Sequence, residues 1–168
     1  VGIGNDALGS CTTGSDNIAI GINAMAANTT GINNTAIGRS ALDASTTAEY
    51  NVAVGKEAGS TLTTGSYNSV LGTFALRDST TAARSVAIGT SALQNNVSGG
   101  DNTAVGSNCL TSTTGNNNTA IGYASGNANT SGSQNTFVGR DSGKNVTTGT
   151  NNTVLGDNTS ASSATVSN

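Results

Sequence analysis

The chain holds six Lys and Arg, nine Asp and Glu, two Cys and no His among 168 residues. A catalytic triad or a tuned general base would need a histidine or carboxylates held within reach of one another. Asp6, Glu57 and Asp141 stand at one phase of a repeat but only in scattered units. They read as solvated surface charge. Calcium sites of the β-roll type would need a Gly-Gly-any-Gly-any-Asp motif in every unit, and none occurs. Arg39 and Lys56, in phase on neighbouring units, make a small positive spot. Cys11 and Cys109 fall at different phases, almost six units apart. At ~4.8 Å per unit that exceeds the ~7 Å Cα reach of a disulfide, and Cys109, in place of a repeat alanine, reads as a small buried apolar residue. The expectation is a protein without catalytic, metal or cofactor sites, and so not an enzyme.

What positions these residues is a repeat. Glycine recurs at Gly4, Gly21, Gly38, Gly55, Gly72, Gly89, Gly106, Gly122, Gly139 and Gly156, seventeen residues apart with one interval of sixteen. Each unit reads Asn, Thr, Ala, Ile, Gly, then Ala-Leu, then Thr-Thr-Gly. A bulky aliphatic residue precedes every anchor glycine: Ile3, Ile20, Ile37, Val54, Leu71, Ile88, Val105, Ile121, Val138 and Leu155. One residue earlier stands a second, mostly small apolar column: Ala19, Ala36, Ala53, Val70, Ala87, Ala104, Ala120, Phe137 and Val154. Asn17, Asn34, Asn51, Asn68, Asn102, Asn118, Asn135 and Asn152 lie four residues before the anchor, with Ser85 as the one substitute.

Short β-branched or small segments bounded by Asn and Gly read as strands, and Thr, Asn and Gly work against helix. The predicted fold is all-β: a parallel β-solenoid, or β-roll, of about ten 17-residue coils over residues 1–158, with a degenerate tail or junction over 159–168. The anchor glycines are expected at a corner, and the asparagines in a hydrogen-bonded ladder. A second glycine column, Gly14, Gly31, Gly65, Gly99, Gly115, Gly132 and Gly149, is expected to supply a positive φ at another corner. Adjacent strand residues face opposite ways, so the two apolar columns cannot both face inward. The bulky column is assigned to the core. The small column from Ala19 to Val154 becomes the expected oligomer face. Adjacent pairs such as Ala24-Met25 and Ala41-Leu42 raise the same question, although a corner between strands would bury both members.

Aromatic residues are 3%, charged residues 9% and the net charge −3. No basic tract supports nucleic-acid binding, and no run approaches the ~20 apolar residues of a membrane span. Val1 to Gly4 fit the middle of a unit, which predicts a processed product or a piece of a longer array. Paired threonines, among them Thr46-Thr47 and Thr113-Thr114, suggest an ice- or carbohydrate-binding surface on Thr and Asn columns as the alternative function. Val97, replacing the first threonine of one pair, places that column inward. Asn-any-Thr/Ser triplets, including those at Asn33, Asn117 and Asn151, are acceptors only where a glycosylating pathway handles the chain.

The runs Asn34 to Gly38, Asn118 to Gly122 and Ser85 to Gly89 resemble the head repeats of trimeric autotransporter adhesins. The fuller unit, with Ala-Leu and Thr-Thr-Gly between the glycines, is similar to repeats of phage tail fibres. The resemblance implies a trimeric, left-handed β-roll on a cell surface or virion. The expected function is a structural segment of an extracellular or virion fibre, a stiff shaft or adhesin. It would assemble with copies of itself as a trimer or head-to-tail filament, with a cell-surface glycan as a further partner.

Overall fold

The computed structural model describes residues 1–160. It is a β-solenoid whose ten short strands form one parallel sheet in strict chain order, enclosing nine turns. The strands are β1 (Gly2–Ile3), β2 (Ile18–Ile20), β3 (Thr35–Ile37), β4 (Val52–Val54), β5 (Ser69–Leu71), β6 (Val86–Ile88), β7 (Thr103–Val105), β8 (Thr119–Ile121), β9 (Thr136–Val138) and β10 (Thr153–Leu155). Repeat phase is preserved in the pairing: Ala19 faces Ala36 and Ile20 faces Ile37 across β2 and β3. Of the tail expected over 159–168, everything from residue 161 lies outside the described residues.

Each strand ends at an anchor glycine with positive φ, 137° at Gly21. A Cβ there would meet the carbonyl oxygen of Gly38 in the next coil at 2.5 Å, so glycine is required both by conformation and by stacking. The second glycine column differs from expectation. None of its members has positive φ. Gly14 is glycine because a Cβ would sit 2.5 Å from the Gly31 carbonyl oxygen and 2.9 Å from the Asn28 amide nitrogen. Close approach, not chain reversal, restricts the column to the smallest residues, with buried Ala48 and Ala82 replacing glycine in two coils.

The reversals fall on residues with side chains. In the coil that begins at Gly38, Ser40, Leu42 and Tyr50 have φ of 53°, 50° and 55°, and the same three phases repeat along the stack. Left-handed conformations cost roughly 1–2 kcal/mol for a non-glycine residue. The gain is hydrogen bonding in both axial directions: Ser40 N–H donates to Ile22 of the preceding coil at 2.8 Å, and Leu42 N–H to Ala58 of the following one at 3.0 Å. The kink also puts Ala41 and Leu42 on the inside together, both fully buried. Such pairs therefore reflect a corner and not a second covered face.

The strand columns point the other way from the sequence reading. Ala19, Ala36, Ala53, Val70, Ala87, Ala104, Ala120, Phe137 and Val154 are all buried inside the coil, so they form no oligomer face. The aliphatic column from Ile3 to Leu155 points outward, with Ile37, for example, 37% exposed and Leu71 50% exposed. Interior volume explains the inversion. The small column packs against the side chains four residues after each anchor, Met25, Leu42, Leu76, Leu93 and Leu110, in one core cluster. Little more than a methyl group fits opposite a leucine in so narrow a coil.

The exceptions support this account. Val70, Phe137 and Val154 each follow by eleven residues a glycine, Gly59, Gly126 and Gly143, that replaces the usual leucine. A Cβ on Gly126 would lie 2.6 Å from the Phe137 ring, and one on Gly143 would also strike it. Phe137 thus occupies the space of two missing leucine side chains. Leu62 and Val146 are buried in these glycine-containing coils as well.

The sixteen-residue coil loses no register: Thr103 still faces Thr119. Its Thr114 N–H donates to Thr130 O at 2.6 Å, and its Gly115 carbonyl accepts from Asn102 Nδ2 at 2.8 Å, as Ala48 does from Asn34. The missing residue is therefore the exposed second threonine of the pair. Thr113 lies one place earlier, in a buried column.

Candidate functional site

The asparagine ladder is interior. Asn34 donates from N and Nδ2 to Asn17 Oδ1 at 2.9 and 3.2 Å, and from Nδ2 across the coil to the Ala48 carbonyl at 2.7 Å. Asn51 repeats this onto Asn34, and Asn68 onto Asn51. At Ser85 the ladder thins: Ser85 N–H still reaches Asn68 Oδ1 at 3.0 Å, while Asn102 N–H finds Ser85 Oγ at only 3.3 Å. All eight asparagines are buried. Their amides hold coil to coil and present nothing to a ligand.

The threonines separate into two columns. The first curls its hydroxyl onto the next coil: Thr12 to Thr29 O at 3.0 Å, Thr29 to Thr46 O at 3.1 Å, Thr63 to Thr80 O at 3.0 Å. Val97, expected inward, is 48% exposed, and its carbonyl still accepts from the Thr80 hydroxyl at 3.2 Å. The second column, Thr13, Thr30, Thr47, Thr64 and Thr81, is exposed. The asparagine column therefore offers no surface; hydroxyls reach the outside from the second threonine column and from Thr35, Thr103, Thr119, Thr136 and Thr153 on the sheet.

The charged groups pair locally. Arg84 and Asp101 form a two-pronged pair at 2.7 Å along the stack, and Arg140 does the same with Asp157 at 2.8 and 3.1 Å. These hydrogen bonds hold both carboxyl groups below the usual carboxylate range. Arg77 binds Asp78 at 2.8 Å, and Lys56 approaches Glu57 at 3.5 Å and the Phe74 ring at 5.1 Å. The positive spot expected at Arg39 and Lys56 is thus partly neutralised. Cys109 is buried, with its thiol pushed up to about 12 by desolvation and its Sγ donating to the Ala120 carbonyl at 3.2 Å. Among the described residues no group of three or more His, Cys, Asp or Glu could hold a metal ion, and no helix is long and apolar enough to cross a membrane.

What stands out is the outer face of the sheet. One column is Ile18, Thr35, Val52, Ser69, Val86, Thr103, Thr119, Thr136 and Thr153; the other is the aliphatic column from Ile3 to Leu155. Neither contains a charged residue, because every Asp, Glu, Lys and Arg of the chain falls in the turns. At ~4.8 Å per coil and ~3.3 Å per residue, the strip is roughly 43 Å by 10 Å. The sequence contained the signal needed to find it. The eleven-residue coupling between glycine and an enlarged small-column residue marks that column as space-limited, and hence leaves its neighbour outside.

Comparison with family models, curated proteins and solved structures finds no match.

Proposed function

We propose that this chain is a non-enzymatic structural segment of an extracellular or virion fibre, a stiff shaft whose copies associate along the outer face of the sheet. The observation that carries this reading is the continuous, uncharged strip on an in-register sheet, an aliphatic column beside a column of threonine, serine and aliphatic residues. An area on the order of 400 Å² is the size of the largest patch that a typical monomer exposes, and such a patch is often functional. It is about half of the ~800 Å² that each partner gives to a stable interface, and exposed Ile22 and Tyr123 in the flanking column, which also carries Arg39, Lys56, Arg140 and Asp157, add apolar area locally.

Stiffness follows from the bonding. Adjacent coils are joined by strand pairing, by turn hydrogen bonds in both axial directions, and by buried amides, so bending must break several bonds at once. A long, regular stack whose ladder asparagines and first-column threonines bond to neighbouring coils suits a spacer. The test is small-angle scattering combined with electron microscopy of the purified chain. Elongated particles of more than one chain, with coils stacked along the long axis, support the reading. A monomer over the full accessible concentration range overturns it.

A further inference from the structure

Tyr50 and Tyr67 occupy the same phase of adjacent coils, and their rings stack with centroids 5.0 Å apart and planes inclined by 6°. Both side chains are exposed, 44% and 59%. Their backbones are fixed alike: Tyr50 N–H donates to Ile32 O at 3.1 Å, Tyr67 N–H to Glu49 O at 3.0 Å, and both residues have positive φ. Two phenols are thus held in register on a rigid stack, with their ortho carbons in neighbouring layers and their edges open to solvent.

We propose that Tyr50 and Tyr67 form an oxidative cross-linking site, joined as dityrosine by a one-electron oxidant of the haem peroxidase class acting with hydrogen peroxide. Each phenol loses one electron and one proton to become a phenoxyl radical. The radicals couple through one ortho carbon of each ring, forming a carbon–carbon bond, and the two ring protons shift to restore both phenols. Two tyrosines and one hydrogen peroxide give one dityrosine and two waters. The stack confines the radicals in neighbouring layers, which favours coupling within the chain over coupling between chains. Exposure of both rings lets them tilt from stacked to edge-joined geometry. The product is a covalent staple between the coils carrying β4 and β5, in a chain whose two cysteines lie too far apart in the stack to supply one.

Tyr123, the third tyrosine, stands at another phase and has no aromatic partner among the described residues. It is the internal control for coupling between chains. The experiment treats the intact protein with horseradish peroxidase and hydrogen peroxide, then reads dityrosine fluorescence, intact mass and the cross-linked peptide. Expected is a monomer-mass product lighter by two hydrogens, mapping to Tyr50–Tyr67, abolished in Tyr50→Phe and Tyr67→Phe and retained in Tyr123→Phe. Both conservative variants keep the ring, and circular dichroism checks their fold. Absence of the intrachain product under conditions that couple free tyrosine would overturn the proposal. So would its persistence in Tyr67→Phe, or a cross-link confined to Tyr123 between chains.

Discussion

Asn51 receives two hydrogen bonds from Asn68, donates two to Asn34 and a fifth to the Gly65 carbonyl, all without solvent. Asn51→Ala removes the acceptor of the Asn68 N–H and the donor to the Gly65 carbonyl, while the backbone N–H of residue 51 still reaches Asn34 Oδ1 and Asn68 Nδ2 keeps the Ala82 carbonyl. An unsatisfied buried group costs about 1–3 kcal/mol. The expected loss is at least about 2 kcal/mol, measured by denaturant unfolding. The opposite change is available at Ser85, where the ladder thins. Ser85→Asn restores the amide rung and should raise stability by about 1 kcal/mol, seen as a higher unfolding midpoint. At Cys109, burial keeps the thiol protonated at neutral pH. Thiol-specific alkylation of the folded protein should therefore label Cys11, which is half-buried near the surface, and spare Cys109 until denaturant is added. A native state that labels both equally contradicts the burial.

At the scale of the element, Phe137 offers the clearest energetic test. Phe137→Ala opens a cavity opposite Gly126 and Gly143, and such truncations cost about 3–5 kcal/mol. Adding Gly143→Leu supplies the leucine found at this phase in other coils, where Leu42 and Leu93 adopt positive φ. The double variant should recover a substantial part of the loss, whereas Gly143→Leu alone is destabilising because it collides with the ring. A double-mutant cycle with no coupling would refute the volume-compensation account. The same coupling explains what could be read from the sequence. Glycine, asparagine and β-branched residues at fixed phase specified parallel stacked strands, since each has one physical use in such a coil. Alternation stated that Ala36 and Ile37 face opposite ways but not which one faces in. Hydrophobicity assigned the isoleucine to the core, whereas interior volume decides for the alanine. The positive-φ leucines were illegible because propensity disfavours them, and axial hydrogen bonds override it.

At the scale of the whole molecule, the described chain is a ladder whose buried asparagines bond coil to coil and whose uncharged sheet face, with its aliphatic column, is left outside. Function then rests on what covers the strip formed by β1 to β10. Charge placed there should be tolerated by each coil, because Ile37 and Ile88 contribute little to the interior, but not by an interface made of copies of the same strip. The decisive comparison is sedimentation equilibrium of the unaltered chain against Ile37→Lys/Ile88→Lys, with circular dichroism to follow the fold. Association of the unaltered chain, and a folded monomer for the double variant, is the predicted outcome. A chain that is monomeric without substitution, or a double variant that unfolds or stays associated, would contradict it.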